Sequence, residues 1–296
     1  MALTEILLKS GIPFHEITEE ESKRLKLTLL EMYQAIFGVC EKNRLSICMG
    51  GGSCLGTVRH KGFIPWDDDL DLNMFRADYE KLPQILQEEY PGKYKIVGPG
   101  YSEKTPYNFL KIEKVGTSIK TMWDDKDEHH GVGIDIFPID TVPKSKLLRL
   151  FHGVRLNFIF YAAICTRLYQ KPVIAHEYMM RNSEGKKTLR ARKIIGFFLS
   201  WRKYYKWNEL GDKIASKNYK SDFVTIPTGR KHFFGELHKR DVFLPYKKSI
   251  FENAECYLPN KSDEYLTSLY GDYMQIPPPE KREKHFIIEL DFGDRK

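Results

Sequence analysis

Apolar residues recur every three to four positions along "ITEEESKRLKLTLLEMYQAIFGVCEKN", at Leu25, Leu29, Met32, Ile36 and Val39. That spacing gives a helix one core-facing stripe. Thr18 stands three residues before Glu21, a capping box in which each side chain satisfies a backbone N–H at the helix start. The period then shortens. "RLSICM" reads as a short buried strand and the following "GGGS" as a tight turn at its end, while "DLDLNMF" alternates acids with Leu70, Leu72 and Met74 as a strand does. "RADYEKLPQILQEEY" returns to helical spacing, and "YKIV", "YNFLKIEKV", "TSIKTMW" and "GVGIDIFPID" are short strands set off by Gly, Pro and charged turns.

The chain changes character at Pro143. From there to about Tyr219 the pattern is helical, in two basic, aromatic-rich segments, "LLRLFHGVRLNFIFYAAICTRLYQK" and "KKTLRARKIIGFFLSWRKYYKWNELGDKIASKNY". "FLPYKKSIFENAECYLP" alternates like a strand, and "SDEYLTSLYGDYMQIPPPEKREKH" gives a final short helix and a proline-rich tail. These changes divide the chain into an α/β core over 1–142, a basic helical insert over 143–219 and a C-terminal segment over 220–296 expected to pack back on the core.

Charge sharpens that division. Between Lys144 and Lys206 fifteen Lys and Arg face only Glu177 and Glu184, a net +13, so with +7 for the whole chain the remainder carries −6. Such asymmetry reports on partners rather than on fold. In the insert, Phe197, Phe198, Trp201, Tyr204 and Trp207 lie beside Arg202, Lys203 and Lys206, the composition of a helix at an anionic membrane surface. A solvated charged face is the plainer alternative. No nucleic-acid-reading motif accompanies the charge, so nucleic acid is not an expected partner.

With 296 residues, 42% of them hydrophobic, the chain can bury a sizeable core. It shows no leader-like N-terminus and no stretch of roughly eighteen consecutive apolar residues, so it is expected to be cytoplasmic, soluble or peripheral at the inner face of the membrane. Its five cysteines lack any CxxC or Cys/His spacing and are expected to be buried thiols.

The densest chemistry is "GGGSCLGTVRHKGFIPWDDDLDL", in which Asp67, Asp68, Asp69 and Asp71 crowd together. Like charges this close need a cation or open water to offset them. On a strand, residues two apart face one way, so Asp69 and Asp71 would present two carboxylates to one or two Mg²⁺ (or Mn²⁺) ions while Leu70 and Leu72 enter the core. The glycine turn would leave backbone N–H groups and Ser53 for phosphate oxygens, with Arg59, His60 and Lys61 adding positive charge. Asp135 is the best third acid, because it interrupts an otherwise apolar strand where an unpaired carboxylate is costly.

At this point the sequence resembles a known family. The run "GGSCLGTVRHKGFIPWDDDLDL", with "GIDIFPID" and "YLTSLYGDYMQIPPPEKREKH", is similar to the LicD-type proteins, which include the fukutin-related proteins and fall within the nucleotidyltransferase-like superfamily. By this resemblance Gly51, Gly52 and Ser53 match the glycine-serine turn, Asp69 and Asp71 the metal-binding acid pair, and Asp135 the third acid. Cys54 stands where leucine is more usual and Phe75 where proline is common; neither touches the acids. The resemblance implies a nucleotidyltransferase-like mixed sheet and transfer of phosphocholine, or a related phospho-alcohol, from a CDP-activated donor to a cell-surface glycan or its lipid-linked precursor. Asp69, Asp71 and Asp135 would be the catalytic and metal-holding residues, with Asp135 either on the metal or taking the acceptor's proton. The alternatives are a true nucleotidyltransferase releasing pyrophosphate from an NTP, and a noncatalytic membrane-binding module.

Five further positions are candidate substrate contacts. Arg59 lies close to the glycine turn. Lys111 in "FLKIEK" either reaches a phosphate or faces solvent. Trp66 and Trp123 could form an aromatic box around a quaternary ammonium. His285 closes the tail that resembles the family's C-terminal motif. "WDDKDEHH", Trp123 to His130, is either an accessory metal or substrate loop or, the favoured reading, an exposed polar turn.

Overall fold

The computed structural model describes residues 15, 17–125, 127–181, 183–279, 282 and 287–293. The first helix, α1 (Glu19–Lys42), starts at the expected capping box, with Thr18 and Glu21 each bonded to the other's backbone N–H. Its stripe of Leu25, Leu29, Met32 and Ile36 is buried in the same cluster as Leu70, Leu72, Ile134 and Ile136 from the sheet. Burying each such side chain contributes roughly 1.5–3 kcal/mol relative to exposure. The helix therefore lies on the sheet because one of its faces cannot remain in water.

The sheet is mixed. Strands β1 (Ile47–Met49), β2 (Asp71–Phe75), β6 (Gly133–Thr141), β4 (Leu110–Lys114) and β3 (Tyr94–Val97) lie in that spatial order, and β7 (Phe223–Thr225) with β8 (Leu237–Lys239) extends the sheet from β6. Only β2 and β6 pair in parallel among these neighbours; β1 with β2, and β4 with both β3 and β6, are antiparallel. Two hairpin-like pairs flank it, β9 (Lys247–Phe251) with β10 (Ala254–Leu258), and β5 (Ser118–Thr121) with β11 (Ile287–Asp291). The chain has the α/β class that its pattern predicts and the mixed sheet that the resemblance implies.

Two predicted elements differ. The "GGGS" stretch is not a turn between strands: Gly51 opens a ten-residue helix, α2 (Gly51–His60), with every residue from Ser53 to Thr57 buried, so the stretch packs into the core instead of turning through solvent. "RADYEKLPQILQEEY" is interrupted, with a single turn at Arg76–Tyr79 followed by α3 (Leu82–Glu89), whose first turn contains Pro83. Proline has no N–H to continue an earlier helix but suits a new first turn.

Beyond Pro143 come α4 (Lys146–Gln170), a short turn at Ala175–Met179, α5 (Ser183–Leu199) and α6 (Tyr204–Ala215). α4 and α6 share a cluster that includes Leu156, Ile159, Phe160, Trp207 and Ile214, while Ala175, Tyr178 and Met179 of the turn pack with Leu168 of α4 and Leu189 of α5. Arg76 ties them to the sheet, donating from Nε and Nη2 to the two oxygens of Asp140 on β6 (2.7 and 2.9 Å) and from Nη1 to Asp212 on α6 (2.8 Å). The last helix, α7 (Ser262–Tyr270), packs against α2 and brings Tyr265 to the sheet's edge. All five cysteines are buried free thiols.

Candidate active site

Three charged positions align across the middle of the sheet. Asp71, the first residue of β2, is in register with Asp135 on β6, and Asp135 with Lys111 on β4. Side chains in register on adjacent strands project to one face, so the row sets two carboxylates and an ammonium side by side. Lys111 Nζ donates to Asp135 Oδ1 at 2.6 Å. Burial alone would lower the Lys111 pKa, but Asp135 outweighs it and pushes the ammonium above its ordinary range. Lys111 is therefore neither a solvent-facing lysine nor an unattached cation; it is half-buried in an ion pair.

Asp69 stands two residues ahead of β2, outside the strand that was expected to begin with it. The alternation nevertheless holds, with Leu70 and Leu72 fully buried and Asp69 and Asp71 half-buried. Asp67, Asp68 and Asp69 each bring a carboxylate oxygen within 4.8 Å of the others. This all-oxygen donor set suits a hard divalent cation.

The glycines explain how a helix start fits against so many acids. A Cβ on Gly50 would stand 2.7 Å from Asn73 Oδ1, one on Gly51 would stand 2.9 Å from Asp71 Oδ2, and one on Gly52 would stand 3.0 Å from Asp67 Oδ2. Each glycine makes room for one polar side chain, and Gly51 also has a positive φ of 39°. The N-terminus of α2, the positive end of its dipole, thereby lies against the carboxylates. The N–H of Gly51 donates to Tyr265 Oη (3.1 Å), which also accepts from Asn73 Nδ2 (3.1 Å). Ser53 is buried, and its Oγ accepts from the Asp71 N–H at 2.8 Å. This hydroxyl fixes the start of the acid strand.

Two cavities meet at these acids. The larger, about 790 Å³, is lined by Gly51, Gly52, Asp67, Asp69, Asp71 and Asp135 on one side and by residues of the C-terminal third, Arg230, Glu236, Tyr265 and Tyr270 among them, on the other. The smaller, about 410 Å³, is lined by Asp68, Asp69, Lys111, Asp135, Tyr107, Trp123, Asp124, His130 and Arg167. Asp69 and Asp135 belong to both.

Arg59 lines the larger cavity, with Nη1 donating to the carbonyl of Tyr273 at 2.6 Å; it binds the C-terminal segment to α2. Trp66 lines the same cavity, with the Arg282 guanidinium over its ring at 4.1 Å. Trp123 lines the smaller one, so the two tryptophans do not form one box. His285 lies outside the described residues.

The "WDDKDEHH" stretch is not an exposed turn. Asp124, Asp125 and His130 are buried, each with a partner: Thr121 N–H on Asp124 Oδ2 (2.7 Å), Lys171 on Asp125 (2.9 Å) and Glu113 on His130 Nδ1 (2.8 Å). Sequence reasoning also passed over Tyr265, Arg230 and Glu236. Burial pushes the Glu236 carboxyl up to about 7, against the opposing Lys231 N–H and Arg230 charge. Tyr265 alone had a sequence signal, the tyrosine-rich "EYLTSLYGDY", which is too dense in polar aromatics for an ordinary surface helix.

Residues 44–180 match the family profile described as LicD/FKTN/FKRP, nucleotidyltransferase domain. The 44–180 segment is a LicD-family domain. It is 25% identical over 292 residues to the lipopolysaccharide cholinephosphotransferase LicD of Haemophilus influenzae, a match spanning 93% of this chain and 98% of that protein. It is 32% identical over 101 residues to an uncharacterized protein of Rickettsia prowazekii, covering 32% of this chain and 36% of that one. It is also 36% identical over 61 residues to human ribitol 5-phosphate transferase FKRP, covering 21% of this chain and 12% of that protein. The family-profile match over 44–180 contains the glycines, the acids and Lys111. Tyr265, Arg230 and Glu236, which complete the larger cavity, lie beyond it.

Proposed function

We propose that the protein transfers phosphocholine, or a related phospho-alcohol, from a CDP-activated donor to a hydroxyl of a cell-surface glycan or its lipid-linked precursor. The observation that carries this reading is that Asp69 and Asp135 are shared by two cavities. A group-transfer enzyme needs a donor and an acceptor to approach one phosphorus from opposite sides. The likeness to LicD of Haemophilus influenzae along nearly the whole of both chains supports the choice of chemistry.

The donor occupies the larger cavity, its phosphates near the α2 N-terminus, where backbone N–H groups and the helix dipole favour anions. Asp69 and Asp71 would hold Mg²⁺ or Mn²⁺; Asp135 is already neutralised by Lys111, which makes it the weaker third ligand. When bound, such a cation neutralises the diphosphate. The acceptor enters the smaller cavity, where Asp135 receives its hydroxyl proton as the new oxygen–phosphorus bond forms and the bond to CMP breaks. Lys111 keeps its charge and faces the equatorial phosphate oxygens.

The acceptor reaches the site at a membrane. Along α4, Leu147, Leu148, Phe151, Val154 and Phe158 are exposed on the face opposite buried Leu156, Ile159 and Phe160. Phe197, Phe198 and Trp201 are exposed at the end of α5. By length and composition α4 could cross a membrane, with 39% of its most apolar window buried inside the protein. With the net +13 of Lys144 to Lys206, this surface suits interfacial docking on anionic lipid at the inner face of the cytoplasmic membrane. Flotation with anionic vesicles should carry the protein upward, and should fail with neutral ones.

Phosphorus NMR of the protein with Mg²⁺, CDP-choline and a bacterial lipid-glycan extract tests the transfer itself. CMP appearing together with a new glycan phosphodiester signal is the expected result. Pyrophosphate from CTP in a parallel sample, with CDP-choline inert, would establish the nucleotidyltransferase alternative instead.

A further inference from the structure

The far wall of the smaller cavity holds a second group of donors, separate from the aspartates of the glycine helix. Asp124 Oδ2 accepts from the Thr121 N–H and hydroxyl (2.7 and 2.9 Å), so Oδ1 is the oxygen turned toward His130, 3.7 Å from Nε2. Glu128 adds a carboxylate oxygen, and one ligand atom from each of the three residues lies within 4.8 Å of the other two. Arg167 and the Asp125 N–H fix Glu128 through Oε2 (3.0 Å each).

His130 carries the argument. Its side chain is 8% exposed, its Nδ1 is 2.8 Å from Glu113 Oε1, and its Nε2 is buried with no hydrogen-bond partner. An ionised carboxylate only accepts, so Nδ1 carries the proton and Nε2 presents its lone pair. That lone pair faces the Asp124 oxygen at 3.7 Å, too far for a hydrogen bond from a protonated ring. Two electron-rich atoms held together in a buried place call for a positive centre between them. Two donors each about 2.0–2.2 Å from one zinc ion stand roughly 3.3–3.7 Å apart. A carboxylate on the remote ring nitrogen is also the arrangement that orients a metal-binding histidine.

We propose that Asp124, Glu128 and His130 bind a divalent first-row transition metal, with zinc the best match to one imidazole and two carboxylates, and with Glu113 orienting His130. The ion fastens the 121–130 loop, which Arg167 and Lys171 also bind to α4 through Glu128 and Asp125. It thereby shapes the wall of the smaller cavity. The site does not depend on the transferase reading, since none of its ligands belongs to the acid row.

Equilibrium dialysis of the full chain against Zn²⁺ in excess Mg²⁺ tests this, with bound zinc counted by mass spectrometry. Wild type and Asp71→Asn should each retain one zinc per chain. Glu128→Gln and His130→Gln should bind it at least about 100-fold more weakly, beyond the 10–100-fold typical of losing only an orienting partner. Melting curves in chelator establish that each variant folds, and half-buried Glu128 decides the matter if His130→Gln does not. Replacing zinc by Co²⁺ in wild type should give a visible absorption band of low coordination number, absent in Glu128→Gln. Zinc lost on Asp71→Asn, zinc retained by a folded Glu128→Gln, or no zinc retained by wild type would each overturn the proposal.

Discussion

The two cavities that share Asp69 and Asp135 are walled by different means. The larger is shaped by backbone: three successive glycines let a helix start lie against Asn73, Asp71 and Asp67, and a segment some two hundred residues later closes over it. The smaller is shaped largely by polar side chains held in pairs, Lys111 with Asp135, Arg167 with Glu128, and the His130 imidazole with Glu113. A backbone wall is specified by what is missing, a Cβ, and tolerates no addition. A wall of ion pairs is specified by complementary charge and fails when one partner is removed.

The most damaging change should lie behind both walls, where the helical region is tied to the sheet. Arg76→Met leaves Asp140, 1% exposed, and Asp212 without their shared guanidinium. Removing one partner of a buried pair costs about 3–5 kcal/mol; chemical denaturation should register a loss of that size, and a change under about 1 kcal/mol would mean the helical region does not depend on this link.

Breaking only the smaller cavity comes next. In Lys111→Met, Asp135 loses a charged hydrogen bond of the kind worth about 1.5–3 kcal/mol, a loss that chemical denaturation should register, and turnover should fall because the acid row is left without its cation. Steady-state kinetics on CDP-choline would show the fall in kcat rather than in the donor's KM, since the lysine stands on the acceptor side.

Breaking only the larger cavity is a smaller effect on stability. Gly51→Ala forces a side chain into a positive φ and against Asp71, a cost of about 1–2 kcal/mol. Here the donor's KM should rise, the opposite signature to Lys111→Met, and equal kinetic effects of the two variants would erase the distinction between the walls.

Glu236 gives the mildest test. Its folded pKa is about 7 against an ordinary 4.5. Below pH 4.5 the carboxyl is neutral folded or unfolded. Between 4.5 and about 7 the unfolded chain gives up the proton while the folded chain keeps it, so stability falls as pH rises and the loss is complete above about 7. Glu236→Gln should therefore gain a few degrees in melting temperature relative to wild type at pH 8, and gain nothing at pH 4. An equal difference at both would mean that this carboxyl does not titrate in the folded protein near neutrality.

Much of this was legible in the chain. The capping box placed α1, alternation found the principal strands, and the acids read as one cluster because Asp67 to Asp71 are adjacent. Asp135 was picked out as a third acid because it interrupts an apolar strand, a local oddity with a long-range cause, but the parallel pairing that brings it to Asp71 was not legible. Less visible were features defined by a partner. "GGGS" has the composition of a turn, and only the fit of Asp71 and Asp67 against it shows why glycine begins a helix. "WDDKDEHH" has the composition of a solvated loop, and becomes buried because Glu113, Arg167 and Lys171 arrive from other elements. Tyr265 and Glu236 close the larger cavity from a segment whose distance along the chain hides the contact.

The measurement that bears most directly on the acid row is CMP release from CDP-choline in the presence of acceptor glycan, comparing wild type with Asp71→Asn protein of matched melting temperature. The account predicts a fall on the order of 10³-fold or more with the variant still folded. Turnover within a few fold of wild type would contradict it.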